Sequence, residues 1–325
     1  MSKLYPLKFL PILKPVLWGG TRIMEFKGIE SSAGDIGESW EISGLEGHES
    51  IVSNGDFAGK SLKELLSLFG KDILGKDIYD RFGTKFPLLV KFLDANRDLS
   101  IQVHPDDEMA ARLHNNMGKT ELWYIIDSKP DSYIYSGFSK SITKEEFLRH
   151  IDGNTITDVI AKFNTQPRDI FYLPAGRIHS LSAGNFIVEI QQNSDITYRV
   201  YDYGRIGADG KKRELHMEYA KDALDYNVHN DYLSHADKVY NNEVLLKKCP
   251  YFTATVINIS EPLRIVISTS FRIVIVTQGK GVLTDKQGNK TAMKQGETIL
   301  IPACTEYADI IPDGEIEVLT AYIES

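Results

Sequence analysis

The sequence predicts a mainly β protein, with two β-barrels and a few short helices packed around the first. Short runs rich in Ile, Val, Leu, Phe and Tyr recur between Gly, Asn, Asp and Pro at residues 86–202 and again at 251–323. Such punctuated runs are typical of antiparallel strands. Because 325 residues exceed the usual size of a single core, two packed units are expected.

The strands predicted in the first unit are nearly continuous apolar runs. They begin at Phe86, Leu122, Ile170 and Phe186. Burial on both faces removes the alternation of apolar and polar residues, so these runs fit the inner strands of a sandwich or barrel.

The second unit shows the same pattern of apolar runs separated by turn residues. Residues 271–277 and 282–284 predict strands that are separated by a turn at Gly279 and Gly281. A hairpin turn follows at Gln287-Gly-Asn, and the next apolar strand begins after Gly296. We therefore predict a second barrel in this part of the chain.

Helical spacing is confined to short segments, which are residues 61–70, 106–117, 143–163 and about 217–226. Ser61 and Thr143 each stand three residues before a Glu, the arrangement of a capping box at a helix start. The polar stretch 227–238 separates the two apolar regions. We therefore predict a first domain at residues 1–235 and a second domain at residues 236–325.

Composition narrows the possible partners and the cell compartment. The formal net charge is -8, and no Lys/Arg-rich run offers a surface for nucleic acid or anionic lipid. No apolar run reaches the roughly 20 residues of a membrane-spanning helix, and the first residues lack the pattern of a secretory signal. The two cysteines, Cys249 and Cys304, fit a reducing compartment, so a cytoplasmic location is predicted.

Three segments carry candidate metal ligands. Gln102 and His104 are two apart, so on a strand they project from the same face. Glu121 begins an apolar strand, where an unpaired carboxylate would be costly. His179 completes the pattern Pro-x-Gly-x-x-His at 174–179, which is the second half of the cupin motif. Each segment alone also fits a polar strand end or a surface Glu.

Together these residues supply two imidazoles, one carboxylate and one amide oxygen. Zinc suits such nitrogen and oxygen donors, and a catalytic site leaves a position open for water or substrate. Iron, manganese or cobalt would accept the same donors. The prediction is one Zn²⁺ per chain, bound by Gln102, His104, Glu121 and His179.

The chain resembles the type I mannose-6-phosphate isomerases of the cupin superfamily, in their short bacterial form, over nearly its whole length. The resemblance is carried by residues 15–20, 91–95, 99–107, 118–121, 174–179 and 195–205. It implies two cupin (jelly-roll) barrels, the same four metal ligands, and interconversion of mannose 6-phosphate and fructose 6-phosphate. Compared with longer members, the helical insertion is reduced to about residues 143–163.

The resemblance also implies roles for five further residues. Arg199 is expected in the active site and Lys119 on the pocket wall, while Glu189 is the candidate for proton transfer. Ser100 and Arg205 are candidates for binding the substrate, with its phosphate as the expected target. The expected reaction moves a proton between carbons 1 and 2 through an enediolate, which zinc and Arg199 would stabilise.

Two other functions are alternatives to this isomerase. A metal cupin oxygenase would usually use more imidazoles, or two His with one carboxylate and open positions for oxygen, and the Gln ligand and an Arg suited to phosphate argue against it. A non-catalytic sugar-binding or regulatory protein with two cupin units fits the second unit, where Pro302-Ala303 is not followed by a His. The expected partner is a small-molecule sugar phosphate, and a monomer or weak homodimer is expected because no heptad seam is present.

Overall fold

The computed structural model describes residues 4–30, 35–207, 210–267 and 269–324. Within these residues the chain forms twenty strands and six α-helices, which confirms a mainly β protein. In chain order the strands are β1 (Leu7–Lys8), β2 (Ile12–Gly20), β3 (Ile36–Ile42), β4 (Leu88–Asp94), β5 (Ile101–Val103), β6 (Glu121–Ser128), β7 (Tyr133–Phe138), β8 (Ile160–Asn164), β9 (Asp169–Leu173), β10 (His179–Leu181), β11 (Asn185–Gln192), β12 (Tyr198–Tyr201), β13 (Ser234–His235), β14 (Glu243–Lys248), β15 (Thr253–Ile259), β16 (Leu263–Val266), β17 (Arg272–Asp285), β18 (Lys290–Lys294), β19 (Thr298–Ile301) and β20 (Tyr307–Tyr322).

The helices are short and lie between these strands. They are α1 (Arg22–Lys27), α2 (Leu62–Leu74), α3 (Lys76–Phe82), α4 (Asp107–His114), α5 (Lys144–Asp152) and α6 (Met217–Ala223), with 3-10 turns at Gly55–Phe57, Ile156–Asp158 and Ala303–Thr305. Ser61 and Thr143 form the predicted capping boxes. Helices α1 and α3 were not predicted. Among the described residues, none of these helices is both long and apolar enough to cross a membrane.

The helix predicted at 143–163 is wrong beyond residue 152. Helix α5 ends at Gly153, and Asn154 has a left-handed backbone with φ 54°, which favours a chain reversal. The chain then enters β8, which pairs with β7. The second half of this segment is therefore part of a sheet.

The strands form three antiparallel sheets. The seven-stranded sheet has the order β13-β9-β6-β11-β4-β3-β2, and the five-stranded sheet has the order β12-β5-β10-β7-β8. The eight-stranded sheet has the order β1-β19-β17-β20-β15-β14, with β16 and β18 paired to β20 and β17. Each hydrogen-bonded path is open at its ends in the described part of the chain, so closure into two barrels stays a prediction.

The turn predicted at Gly279 and Gly281 is wrong. Both glycines lie inside the long strand β17, where its register against β20 shifts. Gly279 has φ 80°, and a Cβ there would lie 2.1 Å from the carbonyl oxygen of Glu315. The glycines therefore allow a bulge within the strand rather than a reversal of the chain.

The seven- and five-stranded sheets pack against each other over a shared core. This core includes Trp123 and Ile187 of the larger sheet and Ile134 and Leu181 of the smaller one. The eight-stranded sheet encloses a separate aliphatic core, and a third, larger cluster joins the N-terminal and C-terminal regions. The boundary at residue 235 stays a prediction, although β1 pairs with β19 across it.

Candidate metal and substrate site

The candidate ligands meet where the two smaller sheets face each other. Gln102 lies in β5 and is the direct cross-strand partner of His179, the first residue of β10. His104 follows β5 at once, and Glu121 is the first residue of β6 in the opposing sheet. The four residues predicted from separate motifs are therefore brought together by strand pairing and sheet packing.

Three of these residues form a compact buried cluster. Donor atoms of His104, Glu121 and His179 all lie within 4.8 Å of one another. The Nε2 atom of His104 lies 3.4 Å from Glu121 Oε2, and that of His179 lies 3.2 Å from Glu121 Oε1. The carboxylate thus stands between two imidazole nitrogens.

The outer nitrogens of both imidazoles are held by the backbone. His104 Nδ1 lies 2.9 Å from the carbonyl oxygen of Ile196, and His179 Nδ1 lies 2.8 Å from that of Arg177. A carbonyl can only accept, so each Nδ1 carries the proton and each Nε2 presents a lone pair to the cluster. Such outer contacts are typical of metal-binding histidines.

The inner atoms of the cluster lack ordinary partners. His104 Nε2 and both carboxylate oxygens of Glu121 are buried without a hydrogen bond among the described residues. A buried carboxylate without donors is costly. A divalent cation would satisfy these atoms, so the residues fit a metal ion.

Charge in the cluster also favours metal binding. Burial opposes ionisation of Glu121, but the ammonium group of Lys119, 3.5 Å away, holds the pKa of this carboxyl well below its usual range. Burial, reinforced by Lys119, lowers the pKa of His104 to about 3. An ionised carboxylate and a neutral imidazole are the forms that bind metals.

Gln102 lies beside the cluster but presents its amide nitrogen. Its Nε2 lies 3.3 Å from His179 Nε2, and its Oε1 accepts a hydrogen bond from Ser100 Oγ at 3.3 Å. A half-turn of the amide would direct the oxygen towards the cluster.

A cavity of about 350 Å³ adjoins the candidate metal site, and of the four candidate ligands Gln102 lies on its wall. Its wall carries four cations and three carboxylates, together with two tryptophans from the first forty residues of the chain and a third from β6. The lining residues are Val16, Trp18, Glu38, Trp40, Lys91, Leu93, Leu99, Ser100, Gln102, Lys119, Trp123, Glu189, Asp195, Thr197, Arg199 and Arg213. All predicted catalytic residues and Ser100 therefore lie on this wall.

Glu189 is held by two side chains that the sequence analysis did not assign to the site. Lys91 Nζ lies 2.7 Å from Glu189 Oε1, and Trp123 Nε1 donates to Oε2 at 2.8 Å. Burial would lower the pKa of Lys91, but Glu189 and Glu38 hold it above its usual range. A Lys within the apolar run 86–93 was the available signal, because a buried cation requires a partner.

Arg199 is fixed by the segment that precedes helix α6. Its backbone N–H donates to His216 Nδ1 at 3.0 Å, and its Nη1 donates to the carbonyl oxygen of Glu214 at 2.8 Å. Burial and the neighbouring Arg213 lower the pKa of Arg199. Arg199 is also the strand partner of Gln102, so it stands next to the candidate metal site.

Arg205 is not among the residues that line the cavity. Its guanidinium donates instead to the carbonyl oxygen of Asp98 and to the carboxylate of Asp202. These protein oxygens take three of its five N–H donors, so direct contact of Arg205 with substrate stays a prediction. Arg213, which was not predicted, lies on the wall instead.

Two family models match this chain. Residues 7–130 match the model described as "Phosphomannose isomerase type I, catalytic domain", and residues 241–323 match "Mannose-6-phosphate isomerase, cupin domain". The probable mannose-6-phosphate isomerase GmuF of Bacillus subtilis is 43% identical over 246 residues, which cover 74% of this chain and 72% of that protein.

Two further matches extend over nearly the whole chain. Mannose-6-phosphate isomerase ManA of Bacillus subtilis is 35% identical over 305 residues, which cover 91% of this chain and 93% of that protein. A crystal structure of the mannose 6-phosphate isomerase from Bacillus subtilis superimposes with a TM-score of 0.84 at 31% identity, covering 98% of this chain and 99% of the other.

Proposed function

This chain belongs to the type I phosphomannose isomerase family and is an isomerase, and we propose that it interconverts mannose 6-phosphate and fructose 6-phosphate. The observation that carries this proposal is the buried cluster of His104, Glu121 and His179 beside a cavity rich in cations. The proposed reaction proceeds through an enediolate and uses one zinc ion. The proposed ligands are Gln102, His104, Glu121 and His179.

Zinc is proposed because the donor set is made of nitrogen and oxygen atoms. A bound divalent ion would supply Lewis acidity to the substrate oxygens at carbons 1 and 2. Lys119 lies 3.5 Å from Glu121 and favours the ionised carboxylate that a metal ion would bind. Gln102 contributes its amide oxygen after the half-turn described above.

Glu189 is the proposed group for proton transfer between carbons 1 and 2. Its carboxylate lies on the cavity wall and is largely removed from water, so little water competes for the transferred proton. Trp123 holds one carboxylate oxygen by hydrogen bonding, and Lys91 balances the charge. A fixed carboxylate at this place can act first as base and then as acid.

Arg199 is proposed to stabilise the negative charge that develops on the substrate oxygens. Its Nε is buried without a hydrogen-bond partner among the described residues, so a donor remains for the substrate. A donor that is already oriented needs no reorganisation during the reaction. Ser100 is proposed as a further substrate contact, whereas Arg205 would act indirectly through Asp202.

The family membership leaves the oxygenase and the non-catalytic hypotheses without a supporting observation. A cytoplasmic location and a monomer or weak homodimer remain predictions.

The test is an assay of the purified protein for conversion of mannose 6-phosphate to fructose 6-phosphate. Chelation should abolish turnover, and Zn²⁺ should restore it better than Mn²⁺ or Co²⁺. His179→Ala should lose both bound zinc and activity, whereas His229→Ala should retain both because His229 is partly exposed and pairs with Asp225. Metal-replete protein without turnover would contradict the proposed function, and turnover that survives complete metal removal would contradict the metal site.

A further inference from the structure

Three arginines surround one buried carboxylate at the side of the cavity. We call Arg199, Arg205, Arg213 and Asp202 the arginine cluster. Arg205 and Arg213 stand at the two ends of a short hairpin, in which Ile206 and Lys212 form an antiparallel bridge. The backbone N–H of Arg213 donates to the carbonyl oxygen of Arg205 at 3.4 Å. The hairpin therefore delivers two guanidinium groups to the same place.

The arginine cluster has too little negative charge of its own. Asp202 is only 4% exposed, and its Oδ1 accepts from both Arg205 and Arg213, the latter at 3.3 Å. Arg205 and Arg213 therefore share one carboxylate. Arg199 adds a third positive charge nearby, which Asp202 and Glu214 partly offset. Burial lowers the pKa of Arg199 and of Arg213, and Arg205 adds to this lowering in both cases. An anion would relieve this repulsion.

The two hairpin arginines differ in what they can reach. Arg205 is occupied by Asp202 and by the carbonyl oxygen of Asp98, and it is not on the cavity wall. Arg213 lines the cavity, and this position separates the two residues, because their side chains are similarly exposed, at 24% for Arg213 and 20% for Arg205. Arg213 is therefore the hairpin arginine that can contact a ligand.

The other cations on the wall are already paired. Lys91 lies 2.7 Å from Glu189, and Lys119 lies 3.5 Å from Glu121. This leaves Arg199 and Arg213, of which Arg213 shares the single carboxylate of Asp202 with Arg205. Arg199 adjoins the metal ligand Gln102 in the sheet, which suits the reacting end of a sugar.

We propose that Arg213 binds the phosphate group of the sugar phosphate and that Asp202 positions it for this contact. This inference rests on the proposed function, because it assumes a phosphorylated sugar in the cavity. The planar guanidinium fits two phosphate oxygens at once. The dianion offsets the excess charge of the arginine cluster, and Asp202 limits the side-chain freedom of Arg213. The phosphate contact thus comes from the hairpin that follows β12.

The first test compares Arg213→Ala, Arg213→Lys and the wild type. We expect Arg213→Ala to raise the KM for mannose 6-phosphate by about 10- to 100-fold, the range for a lost hydrogen bond to a charged group, with a much smaller change in kcat. Calorimetric titration with inorganic phosphate should show a similar weakening. Arg213→Lys should recover part of the KM and part of the phosphate affinity, because lysine keeps the positive charge but lacks the planar group that can bind two phosphate oxygens at once.

Arg264→Ala is the matched control. Arg264 also pairs with one aspartate, Asp309, but it lies on the exposed edge strand β16. The Arg264→Ala variant should have the wild-type KM, phosphate affinity and zinc content. Wild-type KM and phosphate affinity in folded Arg213→Ala protein would overturn the proposal. Absence of turnover in the wild type would refute the proposed function, whereas phosphate titration of the same variants would still test Arg213.

Asp202→Asn tests the positioning role separately. Removal of a negative charge beside three arginines would strengthen phosphate binding if only the net charge mattered. If Asp202 positions Arg213, the same variant should weaken phosphate binding and raise KM. Tighter phosphate binding by Asp202→Asn would therefore overturn the positioning role.

Discussion

Glu189→Gln isolates the buried ion pair at the wall of the cavity. The substitution preserves the shape of the side chain and an oxygen that can accept from Trp123 Nε1. It removes the negative charge that lies 2.7 Å from Lys91 Nζ. Lys91 then keeps only Glu38, whose carboxylate is 3.6 Å away and 21% exposed.

The expected loss of stability follows from this geometry. Removing one partner of a buried ion pair typically costs about 3–5 kcal/mol. Because Glu38 remains as a second partner, we expect a loss of about 2–4 kcal/mol in the free energy of unfolding at pH 7. Turnover should also fall by about 10²- to 10⁴-fold, the usual range for loss of an acid–base group.

The loss should depend on pH in a defined direction. In the wild type the pKa of Lys91 is raised, so its stabilising effect is complete below the pKa of an unfolded lysine and disappears only at higher pH. In Glu189→Gln, burial still lowers the pKa of Lys91, but the charge of Glu189 no longer opposes this effect. The unfolded state then binds more protons than the folded state below about pH 10, so stability rises with pH. The difference in the free energy of unfolding between wild type and Glu189→Gln should therefore be smaller at pH 9.5 than at pH 7.

Urea unfolding of chelated protein at both pH values measures this effect, with Lys91→Met/Glu189→Gln as the matched variant. The double variant has no buried charge at this pair and should recover most of the lost stability. A loss below about 1 kcal/mol, a deficit that widens at pH 9.5, or a double variant no more stable than Glu189→Gln would refute the reasoning.

Two further predictions concern local structure. Thr143→Ala removes the side-chain acceptor of the Glu146 N–H at the start of α5. We therefore expect the free energy of unfolding in urea to fall by about 1 kcal/mol, whereas Thr143→Ser should keep most of the wild-type stability. An unchanged urea midpoint in Thr143→Ala would contradict the role of this cap. Gly75→Ala places a Cβ 2.0 Å from the carbonyl oxygen of Thr269 at φ 87°, so we expect a loss of about 2–4 kcal/mol, and a variant as stable as wild type would contradict this close approach.

Local patterns in the sequence were sufficient to predict the candidate ligands His104 and His179 and the starts of helices α2 and α5. The spacing of Gln102 and His104, and the turn that precedes His179, depend on residues close together in the chain. The capping boxes at Ser61 and Thr143 are likewise complete within four residues. Such features form wherever their own segment folds.

Other features of the site depend on strand register. Glu189 lies directly opposite Lys91 on one side and Trp123 on the other, so a shift of one residue would break both contacts. The sequence shows these three residues in separate apolar runs, without indicating which of them are neighbours. Burial of both sheet faces sets this register, and burial is a property of the assembled core.

The sequence by itself determined that the protein is mainly β and which side chains could bind a metal, because composition, periodicity and short motifs carry that information. Only the tertiary structure decided that Arg213 lines the cavity while Arg205 does not. Both arginines belong to one hairpin and share Asp202. One difference between them is the carbonyl oxygen of Asp98, which a distant segment provides to Arg205, and no local pattern in the sequence predicts this contact.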